Sequence, residues 1–406
     1  MRAPKPTVLM GFAEAIAAPE TAWSLFDEGF QVIAFARRGR GSPVCHSRLV
    51  EVHEVTAPEV DLETSLSDLH MLLRSLDTER AGAPRIIFPL DDAAVLLCNK
   101  VQPEHPEWAL AGPQGVCAEL ALNKFLQTEM ARQAGFDVPS SWCVRSAEDA
   151  SSLGRVEPFP IILKTAECVP VRSGRIRKGG LWICASSQEF ERAIAQWDKG
   201  TPLLAQQFIT GTGEGVFGIA TSQRIQAWSA HCRVRMMNPH GSGSSACVSR
   251  TVDPDIRSKV ESLVSRIGWR GLFMIEFLRD AYGKLWFVEL NGRPWGSIAL
   301  SRRQGLEYPA WQAKLALGED PVANAPASLP GVVCRNVGRE LMHILFVIRG
   351  PKSRVLSGWP SFWKTVGQVF RIHRGDHIYN WRRQDPMVFL ADCYYTLHDN
   401  LLKSRT

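Results

Sequence analysis

The chain has 406 residues, with 47 Lys+Arg against 41 Asp+Glu, a net charge of +6, 45% hydrophobic and 22% charged residues. That length predicts two to four folding units, and the balance excludes a mainly disordered chain and a nucleic-acid coat. The charge is uneven: residues after Pro330 hold 12 Lys+Arg and 5 Asp+Glu, so a neutral body precedes a basic tail.

Residues 7–40 read as strand, helix, strand: an apolar run over 7–10, helical spacing over 20–28 and a β-rich run over 30–36. A second apolar run, 85–90, ends in Asp91-Asp92 and leads into 93–98. Alternating strands and helices predict a parallel α/β layer. The first turn, GFAEAI, lacks GxGxxG. That motif does occur at Gly213, Gly215 and Gly218, but between the β-like runs LLAQQFI and GIATSQRIQAW. A dinucleotide site needs a helix after the glycines, so a hairpin or ribbon turn is expected here. No GxxxxGK[ST] occurs.

Residues 118–135 read as one amphipathic helix ending at a glycine, with Pro139 beyond it. A strand over 158–164 is followed by the basic, glycine-containing loop SGRIRKGG (173–180), a helix over 188–197 and a strand over 202–209. Antiparallel strands are expected over 215–248, broken by a loop at 238–245. A helix over 254–267 follows, then strands over 271–278 and 284–290 joined by DAYG, and a helix over 308–317. The ten cysteines are scattered with no CxxC pair, which predicts reduced thiols in a cytosol. The opening residues have too short an apolar run for a secretion signal, and no apolar stretch approaches the ~20 residues of a bilayer span.

The chemistry concentrates in GLFMIEFLRDAYGKLWFVELNGRPWGS, residues 271–297. Two β-rich runs flank a short turn and predict a hairpin. Glu289 and Asn291, two apart, face one side, and Glu276 can lie on that face across the hairpin. Carboxylates among apolar neighbours are costly unless paired. Mg2+ would resolve that cost, since it takes carboxylate and amide oxygens; solvated acids on an edge hairpin are the other reading. Arg293 stands two residues beyond Asn291, placed to meet an anion. Lys124 and Lys164 precede the hairpin; either alone reads as a solvated lysine.

In this order and spacing, residues 85–300 resemble the ATP-grasp superfamily, in particular its carboxylate–amine ligases. The matching residues are Lys124, Lys164, the Gln206-Gln207-Phe208-Ile209 stretch, Glu276, and the Glu289-Leu290-Asn291-Gly292-Arg293 run continuing to Trp295-Gly296-Ser297. The resemblance implies an α/β chain with a Rossmann-like parallel domain over 1–116. The two α+β subdomains of an ATP-grasp fold would span 117–210 and 211–325, and a mainly helical extension 326–406. It implies that Lys124 and Lys164 contact ATP phosphates and that Gln206, Gln207, Phe208 and Ile209 form the adenine hinge. Glu214 is implied for the ribose, and Glu276, Glu289 and Asn291 as Mg2+ ligands, with Arg293 steadying the transferred phosphoryl group. SGRIRKGG corresponds to the mobile lid, bringing Lys178 toward the γ-phosphate. Relatives usually have Pro where Gly292 stands, a change expected to loosen the turn.

By position, Arg233 and Arg250, ahead of Arg235, are candidates to hold a substrate carboxylate. Arg233 and Arg235 are expected on one strand face. His231 and His240 read as structural, and Cys232 and Cys247 as inert. The implied reaction phosphorylates a carboxylate with ATP and passes the acyl group to an amine. A kinase, thiol ligase, carboxylase or decayed nucleotide-binding protein are the alternatives. The partners would be a small or carrier-linked carboxylate and an amine; no nucleic-acid motif is present, and a dimer is compatible with the resemblance. The protein is expected in the cytoplasm. Its tail, with Phe362, Trp363, Val366, Val369 and Phe370 on one stripe, reads either as a packed subdomain or as a dock for an anionic membrane or acidic partner. Deleting the tail is expected to leave the site intact.

Overall fold

The computed structural model describes residues 4–79, 82–156, 158–239, 241, 243–320, 322, 325–351 and 358–402; His240 lies outside them. The first unit comprises β1 (Thr7–Gly11), α1 (Ala18–Asp27), β2 (Gln31–Arg37), β3 (Val50–Val55), α2 (Leu62–Glu79), β4 (Arg85–Pro89), α3 (Asp92–Val101) and β5 (Trp108–Leu110). Its five strands are all parallel, in the order β3-β2-β1-β4-β5. TVLMG and RIIFP read as unbroken apolar runs because both sheet faces are covered. Val8, Met10 and Phe88 pack on one side, and Leu9, Ile33 and Ile87 on the other with Leu69, Leu73 and Leu97. The chain turns from one half of the sheet to the other between β1 and β4, where the carboxyl ends of the strands open a crevice.

Residues 118–135 form two helices, α4 (Val116–Ala121) and α5 (Lys124–Gln133), not one. The break is Asn123, whose extended backbone and side-chain oxygen cap α5 by accepting from the Phe125 and Leu126 amides at 3.1 Å each. Then come β6 (Ser141–Val144), α6 (Ala147–Val156), β7 (Ile161–Thr165), β8 (Val171–Arg172), β9 (Arg175–Ile176), β10 (Leu181–Cys184), α7 (Ser187–Gln196) and β11 (Leu203–Gln207). Strands β10-β7-β11-β6 form an antiparallel sheet. Ile161, Leu163, Leu203 and Ala205 face its covering helices, together with Phe190 and Ala193. The opposite face, with Ile162, Lys164, Leu204 and Gln206, is therefore the one turned to the rest of the molecule.

The large sheet is built from β12 (Thr212–Ala220), β13 (Ile225–Met236), β14 (Ser244–Arg250), then, after α8 (Pro254–Ile267), β15 (Gly271–Arg279) and β16 (Leu285–Asn291). The GxGxxG glycines lie inside the continuous strand β12, not in a turn. Gly213 has a use there: a Cβ would sit 2.5 Å from the Arg233 side chain, which crosses over it. After α9 (Ile298–Arg302) and α10 (Tyr308–Ala316) come β17 (Val333–Arg335), α11 (Val337–Arg349), α12 (Phe362–Phe370), β18 (His377–Ile378) and α13 (Pro386–Leu402). The seven strands run β16-β15-β12-β13-β14-β17-β18, so residues past 330 form one edge of the sheet.

The tail therefore packs into the body, which runs against the expectation that it can be removed without harm to the site. Glu340 of α11 is 3% exposed and takes Arg235, Ser245 and Arg335. Asp385, just before α13, accepts from Trp23 Nε1 at 3.1 Å and from Ser47 Oγ. Buried Glu20 of α1 gathers Arg302, Arg303 and the Asn380 amide. One apolar core joins the first unit to the large sheet: Trp295 stacks on Phe217 at 4.4 Å and packs with Tyr308, Leu272 and Val8. On α12 the apolar stripe expected from the sequence divides, with Val369 buried and Trp363 and Phe370 exposed.

Candidate active site

Glu276 and Glu289 are direct cross-strand partners on β15 and β16. Asn291, two residues on, shares their face and donates from Nδ2 to Glu289 Oε1 at 2.9 Å. Its amide oxygen is left for another partner. Arg233 reaches Glu276 from β13 at 2.6 Å. Burial pushes the Glu276 carboxyl up; Arg233 opposes that, Glu289 adds to it, and the net direction is upward.

Lys164 comes to this pair from the other sheet. Burial draws its ammonium down to about 8, while Glu289 pulls it back up and Lys124 pushes it further down. Both lysines and both carboxylates thus act on one volume. Lys124 begins α5, where its amide donates to the Ala166 carbonyl at 2.8 Å. The helix break at Asn123 sets Lys124 beside the end of β7. Cys168 lies in the same field, its thiol pushed up to about 12 by burial, and Lys124, Asp92 and Glu289 all act on it.

Arg293 donates from Nε to Asp92 Oδ1 at 2.7 Å. Burial draws its guanidinium down, but Asp92, Glu289 and Asp91 outweigh that and the net shift is upward. Asp92 opens α3 at the crevice of the first unit, so the two units meet across this ion pair. Sequence reading noted Asp91-Asp92 only as a strand end; paired acids at the carboxyl end of a parallel strand were the available signal. Gly292 is closely packed. It lies against Trp269, whose ring a Cβ would approach to 2.6 Å, so close packing excludes a side chain there.

Gln206 shares the Lys164 face and is fixed by donating to Ser141 Oγ at 2.8 Å. Gln207 is exposed on the other face. The Phe208 amide donates to the Pro160 carbonyl, and among the described residues none accepts from the Ile209 amide. In the lid, β8 and β9 form a small hairpin docked on the first unit. The Leu62 amide donates to the Gly174 carbonyl, the Ile176 amide to the Pro58 carbonyl, and Ile176 is buried in that unit's core. Lys178 is exposed beside it.

Three expected residues do not join the cluster. Glu214 pairs in register with Phe277, the neighbour of Glu276, so it points to the opposite face; it binds Arg279 at 2.6 Å. Arg250 is opposite Ala230, one residue out of phase with His231 and Arg233, and is exposed at the end of β14. Arg235 is separated from Arg233 by a bulge: the two oppose the adjacent residues Ala246 and Cys247, which face opposite ways. It binds Glu340 instead. His231 is buried and neutral, drawn down to about 3 by burial and by Arg233, with Nδ1 2.9 Å from Ser297 Oγ. The Cys232 and Cys247 thiols are pushed up by burial, and all ten cysteines are free.

No protein-family model matches the chain. It is 25% identical over 226 residues to the 2-oxoglutarate carboxylase small subunit of Hydrogenobacter thermophilus, covering 51% of this chain and 46% of that protein. The chain thus matches less than half the length of that relative. Among solved structures, the biotin carboxylase domain of the same bacterium's 2-oxoglutarate carboxylase, bound to MgADP, ADP and bicarbonate, superposes with a TM-score of 0.58 at 19% identity, over 79% of this chain and 71% of that one. An L-amino acid ligase from Bacillus licheniformis gives 0.58 at 16%, over 78% and 75%. The ADP complex of purK, an N5-carboxyaminoimidazole ribonucleotide synthetase, gives 0.61 at 12%, over 90% and 96%. With this architecture and these likenesses, the chain has the ATP-grasp fold.

Proposed function

We propose that the chain is an ATP-dependent ligase joining a carboxylate to an amine, with release of ADP and phosphate. The observation that carries this reading is the meeting of Glu276, Glu289 and Asn291 on one face, with the Lys164 ammonium close enough to feel both carboxylates. The donor set fits Mg2+: two like-charged carboxylates in register and an amide oxygen are hard ligands that a cation would reconcile. Mg2+ held there supplies charge neutralisation to the transferred phosphoryl group.

Lys124 and Lys164 bind the ATP phosphates, and Lys178 approaches them from the lid. Gln206, Gln207, Phe208 and Ile209 form the adenine hinge, with the Ile209 amide as the free donor. Arg293, aligned by Asp92, steadies the phosphoryl group, and Arg233 orients the carboxylate. A carboxylate oxygen takes the γ-phosphoryl group, giving an acyl phosphate and ADP. The amine nitrogen then attacks the acyl carbon, expels phosphate and loses a proton. Glu214 and Arg250, on the far face, take no part. A screen of carboxylates and amines by ADP release, with mass analysis of the product, tests the reading; no substrate-stimulated ADP release would contradict it.

A second reading takes bicarbonate as the carboxylate, and the carboxylase likeness favours it. Bicarbonate-dependent ADP release with an N-carboxylated product would select it. Outside the site, Trp363, Phe370 and Ile372 are exposed beside Lys364, Arg371 and Arg374. Among the described residues no helix is long and apolar enough to cross a membrane. Lying on an anionic surface suits this patch, each basic residue contributing about 1 kcal/mol. Co-sedimentation with phosphatidylglycerol but not phosphatidylcholine vesicles is expected, and should be lost in Trp363→Ser/Phe370→Ser.

A further inference from the structure

Arginines in this chain are paired with care. Among the described residues, every arginine that is not exposed forms an ion pair with a carboxylate, with one exception, Arg339 of α11. Its guanidinium donates to the Ser244 carbonyl at 3.1 Å and lies against Gly243, where a Cβ would meet it at 2.6 Å. The acid beside it on the helix, Glu340, is taken by Arg235 and Arg335. Asp392 is close enough to act on it but accepts from Asn336 Nδ2 at 3.1 Å. With Asp392 as a nearby counter-charge but no carboxylate at ion-pair distance, the guanidinium keeps donors that an anion beside it would take.

Arg339 forms part of the wall of a recess of about 520 Å3. Three parts of the chain enclose it: residues 14–16 and 39–43 at the carboxyl ends of β1 and β2, Met237 after β13, and one face of α13 with Tyr395 and Asp399. The carboxyl ends of parallel strands are where such sheets bind ligands. The recess adjoins the candidate active site. Ile16 lies beside Gly296 of the Trp295-Gly296-Ser297 run, where a Cβ would meet it at 3.2 Å. Met237 follows Met236, whose sulfur lies 3.8 Å from Arg233 Nη1, and Arg233 holds Glu276. The size is that of a small-metabolite site, and the wall mixes polar and apolar surface in near-equal parts, with Glu14, Asp392 and Asp399 on it beside Arg40 and Arg339.

We propose that this recess binds the non-reacting oxyanion, a carboxylate or phosphate, of a small polar substrate, and that Arg339 is its anchor. The planar fork of arginine matches either group. The proposal rests on the ligase reading and adds to it: the C-terminal extension completes the substrate site, and one substrate carries an anionic group besides the reacting atom.

Arginine-directed labelling of the whole protein with phenylglyoxal, read by peptide mass spectrometry, tests it without any turnover. Arg339 should be labelled, and at least threefold more slowly in 10 mM phosphate or 10 mM succinate (about the range of a weak isolated anion contact). Protection by phosphate alone identifies a phosphate-bearing substrate, and protection by succinate alone a carboxylate-bearing one. Absence of labelling, or labelling that neither anion slows, overturns the proposal. Calorimetry of Mg-ATP on the same preparation is separate: failure there sinks the ligase reading and leaves the recess result standing. Once a substrate is known, Arg339→Gln should raise its KM by about 100-fold, as for a lost charge-assisted pair. Arg339→Lys should restore part of that loss, and unchanged KM in Arg339→Gln would also overturn the proposal.

Discussion

Lys164 titrates near physiological pH because burial draws it to about 8. A phosphate contact needs the ammonium form. Below pH 8 the group is already charged and ATP affinity should not vary through it. Above pH 8 binding must first take up a proton, so the Kd should rise toward tenfold per pH unit. Lys164→Arg should give a flat profile to pH 9; calorimetric Kd values from pH 6.5 to 9.5 check this. The cluster was legible where its geometry is local: a period of two puts Glu289 and Asn291 together, and a short turn brings Glu276 opposite. Asp92 was not legible as the partner of Arg293, because they are 201 residues apart. That Glu214 and Arg250 lie off the face of the cluster was not legible, because their face depends on cross-strand register, which spacing along one strand does not fix.

At the scale of elements, apolar periodicity gave most helices and strands but not where they break. Residues 118–135 carry a continuous amphipathic pattern, yet Asn123 offers its side chain to two amides and restarts the helix with Lys124 at its head. Asn123→Ala should cost about 1 kcal/mol in urea unfolding, the value of a lost cap. It should weaken Mg-ATP binding more than that, since Lys124 loses its fixed position; an equal loss in both would assign Asn123 to stability alone. The strand β3, VEVHEV, and helix α2 were passed over because an edge strand with charge on its open side lacks the apolar run of the central ones. The GxGxxG match shows the reverse error: glycine was taken for a turn where β12 uses it to let Arg233 cross.

At the scale of the molecule, the basic tail proves to be a sheet edge, a clasp and one wall of a recess. Its +7 charge was plain in composition, but its packing was not, because Asp385 and Glu340 meet partners far away in sequence. Truncation after Pro330 should therefore take the Asn380 amide from Glu20 and Asp385 from Trp23, strip β17 and β18 from the sheet and leave no cooperative thermal transition. A truncated chain that melts like the full one and still binds Mg-ATP would refute that picture. The central claim concerns Glu276, Glu289 and Asn291 as the place where Mg2+ and ATP meet. Calorimetric titration with ATP, in Mg2+ and in chelator, for the full chain and for Glu289→Gln, tests it most directly. The account predicts Mg2+-dependent binding that weakens by roughly 100-fold in the variant, the several kcal/mol of a lost metal contact. No binding in Mg2+, or a variant that binds as well as the parent, would contradict it.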